Sequence, residues 1–177
     1  DLKWGFTDVY DEDAAGNPIY NWLTIDSIID VYVQTGIKPL MEIGFMPLAL
    51  SSHPDPYEHY WREGGNLWTG WTYPPKDYNK WRELVYQWVN HSIDRYGKEE
   101  VRSWLWEVWN EPDIGYWSGS FEEYCQLYDY AADGLKKACP DCKIGGPHTT
   151  SPRADKGFAF LTRFIEHCLY GKNYATG

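Results

Sequence analysis

Residues 104–113 read Trp-Leu-Trp-Glu-Val-Trp-Asn-Glu-Pro-Asp, and two of them, Asn110 and Glu111, are placed where polar side chains can do chemistry. The run up to Trp109 has the character of a buried strand. Pro112 has no N–H to offer a sheet ladder, so pairing should stop there. A carboxylate is then left at the strand tip with an amide beside it and tryptophans behind it. Desolvation raises a carboxyl's pKa towards neutrality, which a general acid requires. Side chains alternate across a strand, so Leu105, Glu107, Trp109 and Glu111 should share one face, with Glu107 two residues deeper than Glu111. A carboxylate that deep suits an internal hydrogen bond better than substrate, and Glu42 reads the same way. Asp113 reads as a turn cap.

Cleavage of a glycosidic bond needs two carboxyls, one to protonate the leaving oxygen and one to attack the anomeric carbon or activate water. Glu111 suits the acid role, and Asn110 can bond a sugar 2-hydroxyl. No second glutamate in the chain has so clear a strand-end context. The 11 Trp and 15 Tyr among 177 residues bear on the same chemistry, because these side chains join an apolar face to a polar tip and stack on sugar rings. Residues 47–76 form a connection of about thirty residues against the usual 2–6, and hold Tyr57, Tyr60, Trp61, Trp68, Trp71 and Tyr73. Leaving the C-terminal end of a strand, this loop is expected to wall the active-site face, with Trp68 and Trp71 as stacking candidates; a lid packed on neighbouring helices is the alternative.

The elements that position these residues alternate strand and helix. Residues 37–44 suit a short buried parallel strand. A helix precedes it, with Ile25, Ile28, Ile29, Tyr32 and Val33 at helical spacing and a stop at Gly36. The next helix runs from Asp77, its cap, to Gly97, with Trp81, Leu84, Val85, Trp88 and Ile93 on one face. A strand over 101–109 leads to Glu111. Ser120 to Glu123 is a capping box that opens a helix with Tyr124, Tyr128, Ala131 and Leu135 inward. Residues 143–147 make another strand, and a helix near 156–170 carries Phe158, Leu161, Ile165 and Leu169. The segment around Trp4–Tyr10 reads as the end of an earlier strand and its loop. About four β/α units result, whereas a closed eight-stranded barrel takes ~250 residues. The chain is therefore a small open α/β sheet or an incomplete barrel. Proline after two strands, and the lack of a glycine-rich phosphate loop, favour the barrel.

A formal net charge of −10 disfavours nucleic acid and anionic membranes as partners, and no 18-residue apolar run spans a bilayer. No metal or cofactor is called for. Cys139 and Cys142 have redox-motif spacing and could join His167 at a zinc ion. They follow a helix instead of opening one, so Cys125, Cys139, Cys142 and Cys168 read as ordinary thiols.

With these residues assembled, Trp109-Asn110-Glu111-Pro112 resembles the fourth-strand acid/base motif of retaining (β/α)8 glycoside hydrolases. Gly16-Asn-Pro-Ile-Tyr-Asn21, Met41-Glu-Ile-Gly-Phe-Met-Pro47, Pro74-Pro-Lys-Asp-Tyr-Asn-Lys-Trp81 and Lys143-Ile-Gly-Gly-Pro147 narrow the resemblance to glycoside hydrolase family 39, the β-xylosidases and α-L-iduronidases. It implies a TIM barrel of which residues 1–177 supply strands two to five, as part of one catalytic domain. Strand one would lie before Asp1, and strands six to eight after Gly177. It implies Glu111 as acid/base, Asn110 as its 2-hydroxyl partner, and a nucleophilic glutamate at the tip of strand seven, outside this chain. Trp109, Phe45, His148, Trp68 and Trp71 complete the expected substrate-binding set. His148 could reach substrate or only hold its loop. Family members often carry a histidine facing the sugar where this chain has Lys3-Trp-Gly-Phe-Thr-Asp8.

The leading expectation is an exo-acting β-xylosidase releasing xylose from xylo-oligosaccharides. The alternatives are a relative acting on an α-L-iduronide or an arabinose-containing glycan, or a non-catalytic carbohydrate-binding fragment. Iduronide specificity would need basic residues, for which Arg62, Arg153 and Lys156 are the loop candidates. Residues 1–177 alone would expose unpaired strand edges and lack a nucleophile, so they are expected to be inactive.

Overall fold

A computed structural model describes residues 9–55 and 70–177, together with the backbone of Leu2 and Lys3. Its elements in chain order are β1 (Leu2–Lys3), β2 (Tyr10–Glu12), β3 (Pro18–Tyr20), α1 (Leu23–Gln34), β4 (Leu40–Ile43), α2 (Tyr78–Tyr96), α3 (Lys98–Arg102), β5 (Leu105–Val108), α4 (Phe121–Ala138), β6 (Lys143–Gly145) and α5 (Asp155–Tyr170). Strands β1, β4, β5 and β6 form one parallel sheet in that spatial order. Each strand lies beside its predecessor in the β/α series, with no reversal of direction around the sheet. A doubly wound sheet reverses at its switch point, whereas a barrel does not. Met41, Ile43, Trp106 and Val108 are buried on the helix-facing side, where Trp106 meets Trp88 of α2 edge-to-face at 5.1 Å. Glu42 and Glu107 sit opposite each other in register on the other face.

Helix α2 follows its sequence signals closely. Asp77 caps it through Asn79 N–H at 2.8 Å and Lys80 N–H at 3.3 Å, and Trp81, Leu84, Val85 and Trp88 are fully buried. The capping box of α4 makes both of its bonds, Glu123 N–H to Ser120 Oγ at 3.1 Å and Ser120 N–H to Glu123 Oε2 at 2.7 Å. The strand expected over 101–109 is shorter, because a helical turn occupies its first residues. Gly97 ends α2 and also starts α3, where Glu99 and Glu100 favour the N-terminal turn and Val101 turns inward. For α5 the sequence shows two apolar stripes, and the structure uses the other one. Phe164 is buried and Phe160 packs on Tyr124, while Phe158, Ile165 and Leu169 are exposed.

The cysteine expectation is corrected: Cys139 and Cys142 form a disulfide. Helix α4 ends at Ala138, and the turn after it, closed by Cys142 N–H to the Cys139 carbonyl at 3.1 Å, brings the two Cα atoms to 5.3 Å. That separation lies within the range a disulfide spans. Cys125 is a buried thiol that desolvation pushes up to about 12, so it keeps its proton and packs as a small apolar group.

The segment 4–8 falls outside the described residues; the strand itself appears at Leu2–Lys3. Tyr10 instead begins an antiparallel hairpin with β3 that the sequence reading lacked. Its turn is held by Asp13, which accepts from the N–H groups of Ala15 and Asn17, both at 2.8 Å. The hairpin is fastened to the segment entering α2 through Glu12, which accepts from Lys76 and Lys80, both at 2.8 Å. Burial alone would raise the Glu12 carboxyl. The hydrogen bonds from Lys76, Lys80 and Tyr10 outweigh it and lower the pKa from 4.5 to about 2. A folded-state pKa below the unfolded one gives stability that is present above the ordinary carboxylate range and fades as pH falls towards 2. Glu12→Gln should therefore cost about 1–2 kcal/mol near neutrality and flatten the loss of stability between about pH 5 and 2. Urea titrations across that window check this, and an unchanged slope would contradict it.

Candidate active site

The end of β5 is built by its neighbours. Trp109 N–H donates to the Ile43 carbonyl at 3.0 Å, and Glu111 N–H donates to the His148 carbonyl at 2.7 Å. Asn110 pairs with His148 as an isolated parallel bridge. The last bond in this run comes from Glu111, and Pro112 has none to add, in keeping with the proline signal. Between these ties the backbone takes an uncommon path: φ is +70° at Trp109 and +49° at Glu111. Non-glycine residues hold such angles only where the surroundings over-determine them. Two glycines make the room. A Cβ on Gly44 would stand 3.2 Å from the Trp109 ring, and one on Gly146 would stand 3.3 Å from the Val108 carbonyl. That carbonyl also accepts from the Tyr124 hydroxyl at 2.9 Å, whose pKa burial raises well above its ordinary value.

The positive φ breaks the expected alternation. Trp109 does not share the face of Glu107 but turns into the core, fully buried, with its indole N–H on the Tyr116 carbonyl at 2.8 Å. Its ring meets Trp117 at 5.1 Å and Phe45 at 5.2 Å, and Phe45 in turn packs on Trp71 at 4.4 Å. Phe45 and Trp71 are 3% and 1% exposed. The three aromatics expected to bind substrate are therefore brought together behind the Asn110–Glu111 turn, Phe45 edge-on to Trp109 and tilted against Trp71, with the Tyr116 ring tilted against both Phe45 and Trp71. Trp71 also pins the foot of the long connection, its carbonyl accepting Met46 N–H at 3.1 Å. Trp68 lies outside the described residues.

Asn110 is 7% exposed and Glu111 is half-buried, so the carboxyl is partly shielded without being sealed. On the inner face, His148 Nδ1 lies 3.1 Å from Glu107 Oε1. The sequence left His148 between two roles, and the structure shows one ring nitrogen engaged with Glu107 while 44% of the side chain stays exposed. One ligand-type atom from each of Glu42, Glu107 and His148 lies within 4.8 Å of the others. Two carboxylates and an imidazole could hold a divalent cation, but the His148–Glu107 contact is equally the mark of an internal hydrogen-bond network. Asp113 is not a local turn cap: it accepts Thr150 N–H at 2.9 Å and the Thr150 hydroxyl at 2.5 Å. Thr150 and Tyr116 are the residues the sequence reading missed. Nothing in spacing marks Thr150, whose link to Asp113 crosses from one loop to the next.

The sequence model of glycosyl hydrolases family 39 matches residues 4–173. This chain belongs to glycosyl hydrolases family 39. The family 39 chain is 46% identical over 158 residues to a beta-xylosidase of Geobacillus stearothermophilus, which covers 88% of this chain and 29% of that protein. It is 26% identical over 165 residues to the alpha-L-iduronidase of Mus musculus, covering 90% of this chain and 23% of that one. Among solved structures, a monomeric beta-xylosidase from Caulobacter crescentus CB15 superposes with a TM-score of 0.72 at 34% identity, over 90% of this chain and 30% of the other. The family 39 chain thus spans under a third of the length of these relatives. TIM-barrel enzymes of family 39 are its structural neighbours, in line with the sequential parallel order of its strands.

Proposed function

We propose that these residues form the acid/base-bearing arc of a retaining glycoside hydrolase, with a β-xyloside as substrate. The observation that carries the reading is Asn110–Glu111 at the C-terminal tip of a parallel strand, its backbone held by the strands on both sides. In a barrel this is the face where catalytic groups collect. Glu111 protonates the leaving oxygen as the glycosidic bond breaks, then takes a proton from the water that releases the sugar. Asn110 bonds the 2-hydroxyl. The nucleophile is a second carboxylate from a later strand, at the separation of ~5–5.5 Å that retention requires. The arc corresponds to strands two to five, and the exposed outer stripe of α5 is where the next helix would pack.

Support for the sugar comes from the 46% and 44% identities to two beta-xylosidases, against 26–34% for the iduronidase relatives. Arg153 and Lys156 are exposed around the start of α5, without the burial that recognition of a sugar carboxylate favours, and Arg62 lies outside the described residues. The test is a panel of aryl glycosides on the complete protein. An aryl β-D-xyloside should be hydrolysed fastest; preference for an α-L-iduronide would move the assignment within the family. Turnover of none would leave the carbohydrate-binding alternative.

A further inference from the structure

Glu111 sits in a left-handed conformation that its own sequence does not favour, so something beyond it must hold it there. On one side the constraint is backbone, the Glu111 N–H on the His148 carbonyl at 2.7 Å. On the other it is a side chain. Asp113, two residues past Glu111, spends both carboxylate oxygens on Thr150, two residues past His148: Oδ1 accepts the N–H at 2.9 Å and Oδ2 accepts the hydroxyl at 2.5 Å. The two three-residue segments, 111–113 and 148–150, are thus bonded at both ends into a small closed ring. Its middle member on one side is Pro112, buried and with φ fixed by its own ring. The first turn of α5 closes over the clasp: a Cβ on Gly157 would stand 2.3 Å from the Ser151 carbonyl and 3.2 Å from Asp113 Oδ2.

We propose that Asp113 is a positioning residue for proton transfer, setting the direction of the Glu111 carboxyl through this clasp without touching substrate. The proposal rests on the acid role of Glu111 given above. A ring closed at both ends leaves the Glu111 backbone little freedom to rotate. Opening it at Asp113 leaves the strained residue to its own main-chain bonds, the N–H on His148 at 2.7 Å and the carbonyl accepting Ile114 N–H at 3.3 Å, and an ångström of misplacement at a proton donor is enough to cost a hundredfold in rate.

The test compares Asp113→Ala, Asp113→Asn, Thr150→Val and Glu111→Gln in the complete protein. The substrates are an alkyl and a dinitrophenyl glycoside of whichever sugar that protein hydrolyses. Asp113→Ala should lower kcat on the alkyl glycoside by roughly 100-fold with KM within about twofold, and spare the first step on the dinitrophenyl glycoside. Asp113→Asn should stay within about threefold of wild type, because the amide oxygen still accepts Thr150 N–H and its NH2 can donate to a reversed Thr150 hydroxyl. Thr150→Val, which keeps the N–H bond, should fall between, with the same leaving-group signature. Equal slowing of both substrates by Asp113→Ala, or an Asn variant as slow as the Ala one, overturns the clasp as a positioning device. If the Ala variant does not fold, the Asn and Val variants decide the question by their own leaving-group ratios. Glu111→Gln separates the two levels: without a leaving-group split there, the acid role itself is lost, and with one there but not at Thr150→Val, only the clasp is.

Discussion

Replacing Glu111 with Gln in the complete protein should slow the hydrolysis of glycosides with poor leaving groups by about 10²–10⁴-fold, while the first step on dinitrophenyl glycosides stays close to wild type. An alkoxide departs from the anomeric carbon only if it is protonated as it leaves; a dinitrophenolate departs unaided. Gln keeps the shape of the side chain and its backbone ties, so the Glu111 N–H bond to His148 and the turn around it should persist. A comparable loss on both substrate classes would mean that Glu111 serves binding or folding instead of proton delivery.

Trp109→Ala should destabilise the complete protein by about 3–5 kcal/mol, the range for emptying a buried aromatic site. The indole is fully buried against Phe45, Trp81 and Trp117 and bonds the Tyr116 carbonyl, so the substitution leaves a cavity and an unpaired acceptor at once. Alanine also inherits a φ of +70° without the packing that holds it. Urea unfolding measures the loss, and kcat should drop with it because the strand tip loses its backing. A sugar-stacking Trp109 would behave differently, with KM raised and stability changed by less than about 1 kcal/mol.

Much of this architecture was legible in the sequence because local chemistry and periodicity settle it. Asp77, Ser120 and Glu123 cap helices wherever such residues precede an apolar periodic run, and Trp81, Leu84, Val85 and Trp88 can face only one way. Pro112 marks the end of β5 for a reason internal to proline. What escaped depends on tertiary context. Val101 suits a strand as well as a helical turn, and its burial was decided by the Gly97 corner. Helix α5 carries two apolar stripes, and only its packing on Tyr124 and Tyr128 selects Phe160 and Phe164. The alternation that placed Trp109 beside Glu107 assumed extended backbone, and the positive φ, set by Gly44 and the bonds to neighbouring strands, cancels it. Phe45 and Trp71, expected as sugar contacts, pack with Trp109 and are almost fully buried, which the sequence could not show. The candidate acid could be named from four residues, but the residue that holds its loop could not, since Asp113 and Thr150 meet across 37 positions.

Strand β5 lies inside the sheet, with β4 on one side and β6 on the other. The described groups that orient Glu111, from Ile43 and Gly44 to Gly146, His148 and Thr150, therefore come from adjacent units of one continuous arc. This makes the proposed proton donor a self-contained module. Its geometry can be inherited intact while residues elsewhere in a longer chain diverge to suit a different sugar. Such a division of labour is in keeping with one stretch of sequence matching both beta-xylosidases and alpha-L-iduronidases: on the proposed role of Glu111, the step this arc serves is indifferent to which sugar is waiting.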